Sequence, residues 1–281
     1  MDIQRDTYNI DPAAVAAAIG PRTRAVVPVH FAGQACDMAE LGEEASRAGL
    51  KLVEDAAHAL PASYRGTPVG RIGDITCFSF YATKTITTGE GGMITTHDAA
   101  LAARMRMMSL HGISKDAWKR YTSEGSWYYE ILQPGFKYNL TDIASAMGIE
   151  QLRKLPRFLE RRQKLAARYY EGLAGLPLVL PADAPAGDVH AWHLYVIRLA
   201  EGARPGRDAV IEALSQRGIG TSVHYVPLHR QPYWRDRYAL TPEMFPVADA
   251  AYRSMISIPL FTKMSDADQE RVIDALREVL G

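Results

Sequence analysis

The chain has 281 residues, 47% hydrophobic and 23% charged, with 32 basic side chains balanced by 32 acidic ones. Zero net charge gives non-specific attraction to nucleic acid or acidic lipid no driving force, and two cysteines, Cys36 and Cys77, build no disulfide framework. With a polar start at Met1–Asp6 and no apolar run long enough to span a bilayer, the expectation is a soluble, cytoplasmic protein with no nucleic-acid and no membrane partner.

In chain order, Ala25–His30 reads as a strand closed by Ala32-Gly33. Asp37 is placed to cap the helix that follows, with Glu40 completing a capping box. That helix runs out near Gly49, and Lys51–Asp55 is the next strand. Ile75–Phe80 is a further apolar run, in which Cys77 reads as a buried small hydrophobe, and Gly92–Thr96 follows. Asp98 then caps a helix with Leu101, Met105 and Met108 on one face. Strands alternating with helices predict an α/β sheet, largely parallel and covered on both faces.

From Asp142 a long helical pattern begins, with a kink or break expected at Pro156. It resumes through Arg161–Leu173 and ends at Gly175-Leu176-Pro177. The basic stretch Lys154–Lys164 reads as a solvated helix face. Beyond it, His193–Leu199 looks like a strand, Gly206–Arg217 a helix, and Asp266–Leu280 a closing helix. The texture predicts a large domain over 1–175 and a small α+β domain over 176–281.

Single residues say little alone. Asp55 ends a strand, where open α/β sheets bind ligands, but such an Asp equally serves as a turn residue. Lys84 lies between the Ile75–Phe80 run and the glycine-rich Gly89-Glu90-Gly91-Gly92. It could snorkel to the surface, or be a Schiff-base lysine held partly neutral. The aromatic stretch Trp118–Tyr129 reads equally as a loop over a ligand or as a packed crossover.

Together these segments form a pattern. Glu54–Ala59, Gly73-Asp74, Phe78–Lys84, Gly89–Gly92, Gly135–Asp142, His190–His193 and Gly218–Tyr225 follow one another across nearly the whole chain. In that order they closely resemble the DegT/DnrJ/EryC1/StrS family of sugar aminotransferases.

The resemblance implies the type I fold of enzymes dependent on pyridoxal 5′-phosphate (PLP), and a homodimer with a shared active site. It implies that Lys84 carries the cofactor and serves as general base, and that Asp55 keeps the pyridine nitrogen protonated. Ser79 would bind the cofactor phosphate, and His58 would lie beside the ring, with core packing as its alternative. Asn139 would reach the phosphate of the neighbouring subunit, and His224 and Tyr225 would face the substrate. The implied reaction moves an amino group from an amino-acid donor, glutamate, to a nucleotide-linked 4-keto sugar, and the stretches Leu132–Asp142 and His190–His193 most resemble transaminases of UDP-linked 4-keto sugars. Such sugars serve surface polysaccharides, lipid A or antibiotics. A dehydrating branch of the family replaces the lysine with histidine, and Lys84 argues against it.

Family members extend further at the N-terminus, and Asp6–Asp11 resembles the middle of their large domain. The portion before it would contribute a loop at a helix N-terminus for the cofactor phosphate, and an aromatic stacked on the ring. It would also cover apolar surface of the large domain. This leaves an alternative expectation, a non-catalytic truncated homologue that keeps the fold without a working cofactor site.

Overall fold

The computed structural model describes residues 1–114 and 128–281. The first half runs α1 (Pro12–Ala18), β1 (Ala25–Val26), α2 (Met38–Arg47), β2 (Lys51–Asp55), β3 (Ser63–Tyr64), β4 (Thr67–Pro68), β5 (Ile75–Ser79), β6 (Gly92–Thr95) and α3 (Ala99–Met108). The second runs α4 (Asp142–Gly172), β7 (Leu178–Val179), β8 (Tyr195–Leu199), α5 (Arg207–Gln216), α6 (Pro232–Tyr238), α7 (Pro246–Ser254), β9 (Met255–Ile258) and α8 (Asp266–Leu280). The Trp118–Tyr129 stretch falls outside the described residues except for its last two.

The main sheet has the order β1-β2-β5-β6, parallel except for the antiparallel edge strand β6. β1 is shorter than the Ala25–His30 run implies, because Pro28 has no N–H to give to a ladder. The chain stays alongside β2 all the same. Asp55 N donates to Pro28 O at 2.8 Å, and His30 N donates to Asp55 O at 3.1 Å.

One face of the sheet is buried under α1 and α2, through Val15, Val26, Met38, Leu41, Ala45 and Leu52. The other face departs from the expected cover. Val27, Val29, Met93 and Ile94 are exposed, and Cys77 is half-buried rather than buried. The alternation of β2 shows the same division: Leu52 and Glu54 are buried, while Val53 and Asp55 are only partly so.

Local capping follows the sequence closely. Asp98 accepts from Ala100 N and Leu101 N at the start of α3, and Ser265 and Asp268 form a capping box on α8. At α2 only half of the expected box is present. Asp37 accepts from Glu40 N at 3.2 Å and also from the Tyr64 hydroxyl at 2.5 Å. Among the described residues, Glu40 makes no return bond. The break expected at Pro156 does not occur, since α4 is continuous through it. Pro156 and Leu152 are both exposed, so water can satisfy the carbonyl that the proline leaves unbonded.

The second core gathers on the antiparallel β7-β8-β9 sheet, with Tyr195, Ile197, Leu214, Ile256 and Ile273 among its buried residues. Leu165, Tyr169 and Leu173 of α4 belong to it as well. The two halves meet where Tyr8 and Ala32 pack against Val196, Ala251 and Met255. Asp2 strengthens that junction by capping α7, accepting from Val247 N and Ala248 N at 2.9 Å each. Asp2→Ala is expected to cost about 1 kcal/mol of stability in urea denaturation, as for other lost helix caps. An unchanged midpoint would show that α7 does not depend on this cap.

Candidate active site

Asp55 and Ser79 end the neighbouring parallel strands β2 and β5. A cavity of about 300 Å³ opens beside them, lined by Val27, Val53, Asp55, Ala57, Cys77 and Ser79 among others. Its place at the carboxyl ends of parallel strands is where open α/β sheets bind ligands. One oxygen of Asp55 accepts from Ala57 N at 3.0 Å, and Ser79 Oγ accepts from Tyr81 N at 3.3 Å. Both residues therefore shape their own turns and keep further acceptor capacity.

Lys84 stands in the loop after β5. Phe80 holds the base of that loop, its N donating to Gly91 O at 2.8 Å and its O accepting from Thr88 N at 2.9 Å. Burial lowers the Lys84 pKa, opposed by attraction to Asp55. The amine is thus more readily neutral than a surface lysine, with a carboxylate near enough to matter.

A cluster of histidines closes the other side. His58 is buried, its ring centroid 4.3 Å from that of His193. Its Nε2 is 3.5 Å from the Tyr225 hydroxyl, and its Nδ1 has no partner among the described residues. Burial, reinforced by Lys84 and His224, pushes the His58 pKa down to about 3. His224 is also held below its ordinary value, by burial and then by Lys84, and its Nδ1 lies 2.7 Å from Ser257 Oγ. Burial, and then Asp55, raises the Tyr225 pKa, so its hydroxyl keeps its proton.

The fold thus brings Lys84, Asp55, His58, His224 and Tyr225 within one electrostatic neighbourhood, with Ser79 beside Asp55 on the next strand. Asn139 stands apart. It accepts from Lys137, and among the described residues nothing ties it to Lys84 or Asp55 within this chain.

Two residues that sequence reasoning did not single out complete the arrangement. His193 is buried against His58, its own Nδ1 unpartnered among the described residues, and burial and then His58 depress its pKa. The backbone brings it there, since His193 N donates to Ala32 O and Ala191 N donates to Gly33 O at 2.8 Å each. Gly33, at φ +105°, leaves room for that approach; a Cβ there would meet Trp192 N at 3.0 Å. Arg162, read as part of a solvated basic face, is instead buried. It donates to the carbonyls of Trp192, His193 and Leu260, and burial lowers its pKa to about 10. The repeated histidines of His190-Ala191-Trp192-His193 were the available signal for the first. Nothing in the basic run distinguished the second.

A lysine whose pKa burial lowers thus stands at the carboxyl ends of parallel strands, within the field of a carboxylate. The DegT/DnrJ/EryC1/StrS aminotransferase family model matches residues 1–277, and the chain belongs to that family of PLP-dependent enzymes. It is 46% identical to the spore coat polysaccharide biosynthesis protein SpsC of Bacillus subtilis, covering 99% of this chain and 72% of the relative. A Streptococcus pneumoniae protein solved in a PLP form superposes with a TM-score of 0.90 at 31% identity, covering 100% of this chain and 75% of that one. PseC of Helicobacter pylori, an aminotransferase involved in pseudoaminic acid biosynthesis, gives a TM-score of 0.92 at 26% identity, over 100% and 73%. No described helix is long and apolar enough to cross a membrane.

The buried imidazoles make stability depend on pH. An exposed histidine titrates near pH ~6.5, whereas His58 and His190 are held down at about 3. Below the unfolded value the unfolded chain binds protons that the fold refuses, so stability should fall as pH drops from 6.5 towards 3. His58→Gln should flatten the slope of unfolding free energy against pH by up to about one proton. Urea denaturation across that range measures it, and an unchanged slope would show that His58 takes up its proton while folded.

Proposed function

We propose that this enzyme transfers an amino group from glutamate to a nucleotide-linked 4-keto sugar, with Lys84 as the residue that binds PLP covalently. The observation that carries the reading is Lys84 itself, its pKa lowered by burial and its amine within the field of Asp55 at the strand ends. The similarity to SpsC and to PseC favours a sugar substrate made for polysaccharide or surface glycan assembly.

The residues present fit the cofactor. The cavity offers a carboxylate at Asp55 and a hydroxyl at Ser79. The buried Nδ1 of His58, without a partner among the described residues, would cost about 1–3 kcal/mol if left so. With the Tyr225 hydroxyl donating to His58 Nε2, Nδ1 carries the ring proton and is free to donate to the cofactor's phenolic oxygen. Asp55 would keep the pyridine nitrogen protonated, and Ser79 would donate to the phosphate.

When bound, PLP supplies the electron sink that stabilises negative charge at the substrate's amine-bearing carbon. Lys84 Nζ would take the proton from that carbon and return it as general base. Burial lowers its pKa, which favours the neutral form that this role needs. His224 and Tyr225 form the sugar-side wall.

We further propose that a second copy of the chain covers the exposed apolar side chains Phe136, Tyr138, Ile143, Met147 and Leu152, which flank Asn139. Asn139 would then serve the phosphate site of the partner. We also propose a division into a cofactor-binding part, 1–175, and a small part, 176–281, with the last turns of α4 shared between their cores.

Lys84→Ala should lose the lysine-dependent visible absorbance formed with added PLP and lower turnover by about 10³-fold or more. Wild-type absorbance should bleach on adding glutamate. Normal transamination by the variant would overturn the assignment of Lys84. Mixing Lys84→Ala with Asn139→Ala should restore activity that neither has alone, since one site of the mixed dimer is intact. If mixing restores nothing, Asn139 does not act across the interface.

A further inference from the structure

The wall that carries His224 and Tyr225 is fixed from behind at two points. At one end, His224 Nδ1 meets Ser257 Oγ at 2.7 Å, and Ser222 and Ser257 exchange both backbone hydrogen bonds, at 3.1 and 2.7 Å. At the other end, Asp249 of α7 gathers the chain. One of its oxygens takes His229 Nε2 at 3.2 Å and Arg230 Nε at 2.6 Å, and the other takes Arg253 Nε at 2.7 Å. His229 is stacked on Phe245, with centroids 5.1 Å apart and planes at 12°. Ser257 and Asp249 lie on the consecutive elements β9 and α7, so a single helix–strand unit holds both ends.

Between these points the chain has little cover of its own. Tyr225, Val226 and Leu228 are exposed, whereas Asp249 and His229 are both buried. The Tyr225 hydroxyl reaches His58 across the site, although the two residues are far apart in sequence. An exposed segment keeps one path only where its ends are fixed, because each free residue gains backbone entropy on release. The carboxylate of Asp249 is held well below the usual range by Arg230, with His229 and Arg253 adding to it, so it remains charged.

We propose that Asp249 is a positioning residue for the sugar-side wall, fixing the path of the segment 222–231 so that His224 and Tyr225 face the nucleotide-sugar substrate. The proposal rests on the functional reading above. Asp249 touches neither the cofactor cavity nor its lining residues; it acts through His229 and Arg230. Substrate binding on the sugar side should therefore depend on it, while the amino-donor half of the reaction should not.

The test compares wild-type holoenzyme with Asp249→Asn, which keeps the side-chain shape and removes the charge. Arg230→Gln serves as a milder second variant, because it removes one partner at a half-buried position and leaves Asp249 in place. Three quantities are read: amide hydrogen exchange along the chain, affinity for UDP, and the rate at which glutamate bleaches the visible band. Faster exchange confined to 222–231, a roughly tenfold weaker UDP affinity and an unchanged bleaching rate are expected for Asp249→Asn. Arg230→Gln should shift the same two quantities by less, and Arg230→Lys should return part of the loss.

Faster exchange spreading through α5 and α8 would make Asp249 a general structural residue and overturn the proposal. So would a loosened 222–231 segment with unchanged UDP affinity. Failure of the functional reading is separate. A wild-type chain that does not bleach with glutamate, or that bleaches but binds no UDP, sinks that reading or its nucleotide part. The exchange pattern of the variants then decides on Asp249 alone, and a wild-type-like pattern overturns it.

Discussion

Glu54, the residue before Asp55, points into the protein and is fully buried. Its carboxylate accepts from His30 Nε2 at 2.9 Å, from Gly73 N at 2.7 Å and from Thr76 Oγ at 2.6 Å. These bonds, with His30 first, hold its pKa down against the effect of burial. Cys36 N donates to His30 Nδ1 at 3.1 Å, which places the ring proton of His30 on Nε2. One charge thus ties together β2, β5, the turn before β5 and the segment after β1. Losing one partner of such a buried charge typically costs about 3–5 kcal/mol. Gly73 is part of the arrangement, since a Cβ there would meet Glu54 Oε1 at 2.9 Å.

Everything that faces the cavity depends on this anchor. Side chains alternate across a strand, so fixing Glu54 inward fixes Asp55 outward at the strand end. The parallel register that pairs Asp55 with Cys77 sets Ser79 beyond it and starts the loop that returns Lys84 towards the same cavity. A one-residue slip would bury Asp55 and expose Glu54.

The opposite wall is supplied by the second half of the chain and is held by different means. Arg162 reaches out of α4 to the carbonyls of Trp192 and His193, and Gly33 lets the His190–His193 segment pass close to the turn that follows β1. His193 then lies on His58, and the Tyr225 hydroxyl reaches His58 from the second half of the chain. The site is therefore a junction between two cores. Its neutral imidazoles follow from that burial: two aromatic rings in contact exclude the water that would stabilise their charge.

The sequence by itself determined what local chemistry can write. The cap at Asp98, the strand end at Asp55, and Lys84 in a glycine-closed loop were all legible, because each depends on neighbours a few residues away. The motif order made the family legible too. Three local expectations did not hold. Pro28 shortened β1, Pro156 did not interrupt α4, and Cys77 lay half open on an uncovered sheet face. Only the tertiary structure decided that Arg162 is buried, that His193 belongs beside His58, and that Asp249 gathers His229, Arg230 and Arg253. These groups are distant in sequence or hidden among ordinary surface residues, and periodicity reports a face without naming what packs against it. The site belongs to that second kind of information, since its histidines acquire their neutrality only when two separately patterned halves of the chain close on one another.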